Sequence, residues 1–182
     1  MSTILPTRLA ILSALCDVLA NPTPGDTNDT YGIIPIYRGR AILGEDIKVS
    51  LPCCAVIESP ISDPGVQYVG DDEEMRKDKL TLLIQGRCVD TLSDSADGSV
   101  QSSDVAYWLE AAIETRLARI QASIRGIGVY PEYRLGKLIT GIEIGAPVVR
   151  PPEQKLSATA FFFLPVRVGI AKQSDQPYTT VG

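Results

Sequence analysis

Apolar residues recur along this chain with two different periods. From Pro6 to Ala20, Leu9, Leu12, Leu15, Cys16 and Leu19 fall at helical spacing. Pro6 suits a first helical turn, where a missing N–H costs nothing, and Asn21-Pro22 stops the run. A longer run, Asp104 to Arg125, sets Val105, Leu109, Ala112, Ile113, Leu117, Ile120 and Ile124 on one stripe, with Ser103 as the cap and Gly126 as the stop. These two segments predict amphipathic helices. Lys79 to Asp90 instead alternates, with Leu80, Leu82, Ile84, Gly86 and Cys88 on one face, which is the period of a half-buried strand.

Four further apolar runs read as strands: Ile33–Arg38, Leu51–Glu58, Lys137–Ile144 and the long Leu156–Ala171. Pro35 has no amide donor, so the first of these is expected at a sheet edge or as an irregular extended piece. Between them lie a polar turn at Thr23–Thr30, a long excursion at 59–78, a Ser/Asp/Gly loop at Thr91–Ser103 and a proline-rich crossover at 145–155. The order helix, three strands, helix, two strands predicts an α+β fold. It implies an antiparallel or mixed sheet of four to five strands with two helices packed on one face. One domain is expected across residues 1–182, with the excursions at 59–78 and 145–155 and a short C-terminal tail at 172–182.

Composition narrows the chemistry. Histidine is absent from all 182 residues, which removes Ser-His-Asp and Cys-His catalysis and His-ligated zinc together. The formal net charge of -5 argues against whole-surface attraction to nucleic acid or anionic lipid. Cys16, Cys53, Cys54 and Cys88 form no C-x-x-C pair and are expected as buried free thiols in a reducing compartment. No run reaches the ~20 apolar residues of a membrane helix, and no basic-then-apolar leader opens the chain. Gly126-Ile127-Gly128 follows a helix rather than a strand, so it reads as a helix stop and not as a dinucleotide fingerprint. The acidic run Asp71–Glu74 lacks calcium-loop spacing and reads as solvated charge. These features together predict no catalytic residues, no cofactor and no metal.

Surface features point to partners instead. On the second predicted helix, Glu110, Glu114, Arg116, Arg119 and Arg125 have no opposite charge at i+3 or i+4, so they read either as solvated charges or as charges whose partners lie on a neighbouring subunit or the sheet edge, which makes Arg116 and Arg119 candidate interface residues. Period-2 geometry sends Phe161, Phe163 and Arg167 opposite to Phe162, so a second subunit could cover that face. Val66, Tyr68 and Val69 in the 59–78 excursion would have little intramolecular cover and are expected to meet a neighbouring protein. A rival reading is a ligand-binding or carboxylate-dependent enzyme domain using Glu58, Asp90 or Glu143, which requires two carboxyl groups in environments that split their pKa values.

Four segments resemble the tail terminator family of long-tailed bacteriophages: IYRGRAILGED leading to LPCCAVIESP, LTLLIQGRCVD, SDVAYWLEAAIETRLARI, and FFFLPVRVGIAKQSDQPY. They occur in the family's order and span most of the chain, although none is a sharp motif and the segments 59–78 and 145–155 look like expansions. The resemblance implies a non-enzymatic virion protein that forms a homo-oligomeric, hexameric ring on the tail tube protein. Its other face would meet a head–tail connector or neck protein, and DNA would pass through without sequence recognition. It also implies assembly in the host cytoplasm and no membrane contact. Another neck or tail-completion protein of the virion is the alternative within the same setting.

Overall fold

The computed structural model describes residues 3–22, 29, 31–40, 42, 48–59, 67–68, 75–89, 103–124, 135, 138–151, 159–173 and 177–181. In chain order the elements are β1 (Thr3–Pro6), α1 (Thr7–Ala20), β2 (Ile36–Arg38), β3 (Cys53–Glu58), β4 (Gln67–Tyr68), β5 (Met75–Val89), α2 (Asp104–Ile124), β6 (Ile139–Ile144), β7 (Val148–Arg150), β8 (Thr159–Gln173) and β9 (Tyr178–Val181). The fold is α+β, as the two periodicities predict.

The main sheet runs β2-β3-β5-β8-β6, with β4 added beside β5 and β7 beside β8. Its seven strands exceed the expected four or five. All pairs are antiparallel except β2 with β3, which makes the sheet mixed. Pro35 precedes β2, which is the edge strand its missing donor requires. The centre is the fifteen-residue pairing of β5 with β8, from Met75 opposite Gln173 to Val89 opposite Thr159.

Alternation along these two strands decides the layers. Leu80, Leu82, Ile84 and Cys88 of β5, with Ala160, Phe162, Leu164, Val166, Val168 and Ile170 of β8, are fully buried beneath the helices. Ile11, Leu15 and Leu19 of α1 and Leu109, Ile113, Leu117 and Ile120 of α2 complete that core. Burying a side chain of this size contributes about 1.5–3 kcal/mol. Gly86 sits opposite Phe162, and a Cβ there would stand 1.9 Å from the ring. The glycine makes room for the largest aromatic of the core.

Two expectations about the connections are revised. Residues 172–182 do not form a simple tail, because β8 continues to Gln173 and β9 pairs antiparallel with β1. The Thr7 amide and hydroxyl both donate to the Pro177 carbonyl at 3.0 Å, closing the two ends of the chain beside α1. The stretches 59–78 and 145–155 also hold structure: β4 and the first residues of β5 in one, β7 in the other.

Candidate functional site

Among the described residues, a deeply buried charge pair joins α2 to the segment after α1. Arg116 is 1% exposed, and its guanidinium makes a two-pronged contact with Asp29, Nε to Oδ2 at 2.7 Å and Nη2 to Oδ1 at 3.0 Å. Its remaining donors reach backbone carbonyls: Leu19 at 2.5 Å from Nη1, and Tyr31 at 2.9 Å and Gly32 at 3.0 Å from Nη2. The planar fork of arginine is what allows one side chain to satisfy a carboxylate and three carbonyls. Arg119 Nη1 lies 3.7 Å from the same Asp29. The expectation that Arg116 and Arg119 find their partner in a neighbouring subunit is therefore corrected: that partner is Asp29 of the same chain. The site ties the end of α1 and the segment after it to α2. The contacts of Arg116 with Asp29 and three backbone carbonyls give it a structural role.

The same helix buries Glu110, whose Oε1 has no hydrogen-bond partner among the described residues. Burial pushes its carboxyl up to about 7, and the charge of Glu114 one turn on and a hydrogen bond with it add to the rise. With Glu110, Arg116 and Arg119 all turned inward, the outward stripe of α2 is Tyr107, Trp108, Ala111, Glu114 and Ala118, all exposed. Trp108, the sole tryptophan of the chain, is 63% exposed.

The outer face of the sheet falls into two halves. Over β2 and β3, Ile42, Val49 and Leu51 pack on Cys53, Ala55 and Tyr37, so the chain covers this half itself. Arg87 holds the covering segment, donating from Nη1 to the Ile42 carbonyl at 3.2 Å and from Nε to Thr159 Oγ1 at 3.0 Å. Over β5, β8, β6 and β7, the outward positions are Leu83, Phe161, Phe163, Pro165, Val148 and their flanking charges. Phe161 and Phe163 meet edge to face with centroids 5.5 Å apart and remain half exposed, as does Val148. Arg167 is exposed on this half, across β8 and β6 from Glu143, as its parity with the two phenylalanines predicts.

Of the other sequence candidates, Tyr68 lies in β4 opposite Arg76 of β5, while Val66 and Val69 lie outside the described residues. So do the acidic run Asp71–Glu74 and Gly126-Ile127-Gly128. Asp90 also lies outside them. Glu58 and Glu143 sit in separate hollows on opposite sides of the β5–β8 pair, so they do not form an acid–base pair. Glu58 lines one of about 440 Å³ with Leu12, Arg38 and Val56, and lies 3.8 Å from Arg8. Glu143 lines another of about 270 Å³ with Pro165 and Arg167.

All four cysteines are free, with Cys53, Cys54 and Cys88 buried and Cys16 partly so. Burial raises every thiol, Cys16 and Cys53 to about 11 and Cys88 to about 12, and Cys54 well above the ordinary range. None is poised as a thiolate nucleophile. Among the described residues no group of three or more Cys, Asp or Glu could hold a metal ion, and no helix is long and apolar enough to cross a membrane.

No protein-family model matches the chain, and no curated protein matches it. The exposed apolar faces of α2 and of the β5–β8 half-sheet are thus the features of the subunit that most need an explanation.

Proposed function

We propose that this chain is a structural virion subunit that closes into a ring on the end of a phage tail tube, stops tube growth and offers the opposite ring face to the head connector. The observation that carries the reading is where the apolar surface lies. Two well-formed faces of the subunit, on α2 and on the half-sheet, present aromatic and aliphatic residues outward while Arg116 and Arg119 are paired inside with Asp29. Large exposed apolar patches mark association surfaces, and a ring is the closed form of repeated association.

The segments that resemble tail terminators support the same reading. They fall on β2 and β3, β5, α2, and β8 with the approach to β9, which together make one edge and the centre of the sheet and a helix packed on it. The rival carboxylate enzyme finds no support in the separated positions of Glu58 and Glu143.

Deleting the gene from its phage tests the proposal. Electron microscopy should show tails of uncontrolled length that carry no heads, restored by the intact gene. Tails of normal length joined to heads would overturn it.

A further inference from the structure

We infer that the uncovered half of the outer sheet face is the seat for helix α2 of a second copy of this chain, in a head-to-tail contact. The inference rests on the assembly reading above and names its interface.

The sheet face comes first. An antiparallel sheet with one solvated face normally alternates apolar inward with polar outward. On β8 this alternation fails outward as well as succeeding inward, because Phe161, Phe163 and Pro165 stand where polar residues are expected, and Leu83 of β5, opposite Pro165, joins them among the polar outward residues of that strand. Val148 of β7, opposite Phe163, is 48% exposed and extends the patch. Within the subunit, the corresponding problem over β2 and β3 is solved by Ile42, Val49 and Leu51. The β5–β8 half is left for another body.

Helix α2 supplies a matching surface. Its outward stripe carries Tyr107 and Trp108 at one end, and Ala111 and Ala118 allow close approach along the rest. Aromatic anchors of this kind dominate interface energetics. A helix laid on the bare face would give this sheet a helix on each side, the layering that buries both faces of a sheet.

Charge selects the pair. Among the described residues, the exposed charges around the sheet patch are Lys79, Arg150 and Arg167 against the carboxylate of Glu143. The outward stripe of α2 carries Glu114 and no cation, since Arg116 and Arg119 are turned to Asp29. A cationic rim on one face and an acidic one on the other favour their meeting and disfavour sheet on sheet.

The two surfaces lie on opposite sides of the two-layer subunit: α2 covers the inner face of the sheet, and the patch is on its outer face. Each copy therefore carries one of each, pointing away from one another. Contacts of this kind are heterologous, and they make rings when the rotation closes and filaments when it does not.

Blocking the two surfaces separately tests the geometry. One variant carries Trp108→Lys with Ala111→Lys, the other Val148→Lys with Pro165→Lys, so that the two altered faces repel each other. All four positions are exposed, so each monomer should keep its melting behaviour, because exposed substitutions shift stability by about 0.5 kcal/mol. In analytical ultracentrifugation at high concentration the parent should assemble and each variant alone should remain a monomer. An equimolar mixture of the two variants should form a dimer and stop there, because each partner retains only one usable face. A variant that assembles by itself as the parent does would overturn the inference while leaving the ring proposal standing. Two folded variants that stay monomeric when mixed would overturn it too, as would a parent that never self-associates. The ring proposal itself is decided by the tail phenotype, not by these mixtures.

Discussion

Arg116 illustrates how much of a side chain's role is set by a residue far away in sequence. Helical spacing places it on α2 and shows that no acidic residue waits one turn away, but it cannot show that Asp29, from the segment after α1, reaches in beneath it. Interior arginines of this kind are expensive to desolvate, and they persist only when a carboxylate and additional acceptors surround them. Removing the guanidinium leaves Asp29 buried without its main partner. Arg116→Met should therefore lower stability by about 3–5 kcal/mol, a cost typical of breaking one side of a buried pair. Arg116→Lys should recover only part of this, because a single ammonium cannot fork onto both carboxylate oxygens and the three carbonyls. Chemical denaturation of the two variants checks the order. A loss confined to assembly, with stability unchanged, would contradict the structural role assigned here.

At the scale of elements, the segments with strong periodicity were legible and those without it were not. α1, α2 and β5 fall where helical spacing and alternation place them, and Pro35 marks the edge strand correctly. β1, β4, β7 and β9 are two to four residues long. β1 and β9 exist through pairing with each other across the length of the chain, and β4 and β7 are too short to show a period before they pair with the strand that follows. The bare half-sheet was partly legible, since the parity of Phe161, Phe163 and Arg167 predicts an outward face. The self-made cover by Ile42, Val49 and Leu51 was not. Helix α2 also carries a pH-sensitive pair. Glu110 is raised to about 7 in the folded chain from an ordinary 4.5, so the folded state binds the proton more tightly than the unfolded state. Its favourable contribution is complete below the unfolded value and is lost as pH rises through about 7. Glu110→Gln should remove that loss and leave the variant more stable than the parent at alkaline pH, by roughly 1–3 kcal/mol. Urea titrations of both proteins at mildly acidic and at alkaline pH provide the comparison. Equal differences at the two pH values would contradict the assignment.

As a whole, the molecule is a two-layer body whose interior is settled and whose two outer surfaces are not. The exposed aromatic and aliphatic residues on those two surfaces direct attention to association. Under the proposed function, stopping growth needs no reaction: a ring that matches the tube on one side and lacks a tube surface on the other ends polymerisation by occupying the last site. The direct measurement is tube length in a growing preparation of the tail-tube protein from the same genome, followed by electron microscopy with and without this chain. The account predicts that adding the chain halts elongation and leaves a ring at one end of each tube, in proportion to the amount added. Tubes that continue to lengthen with no ring at either end would contradict it.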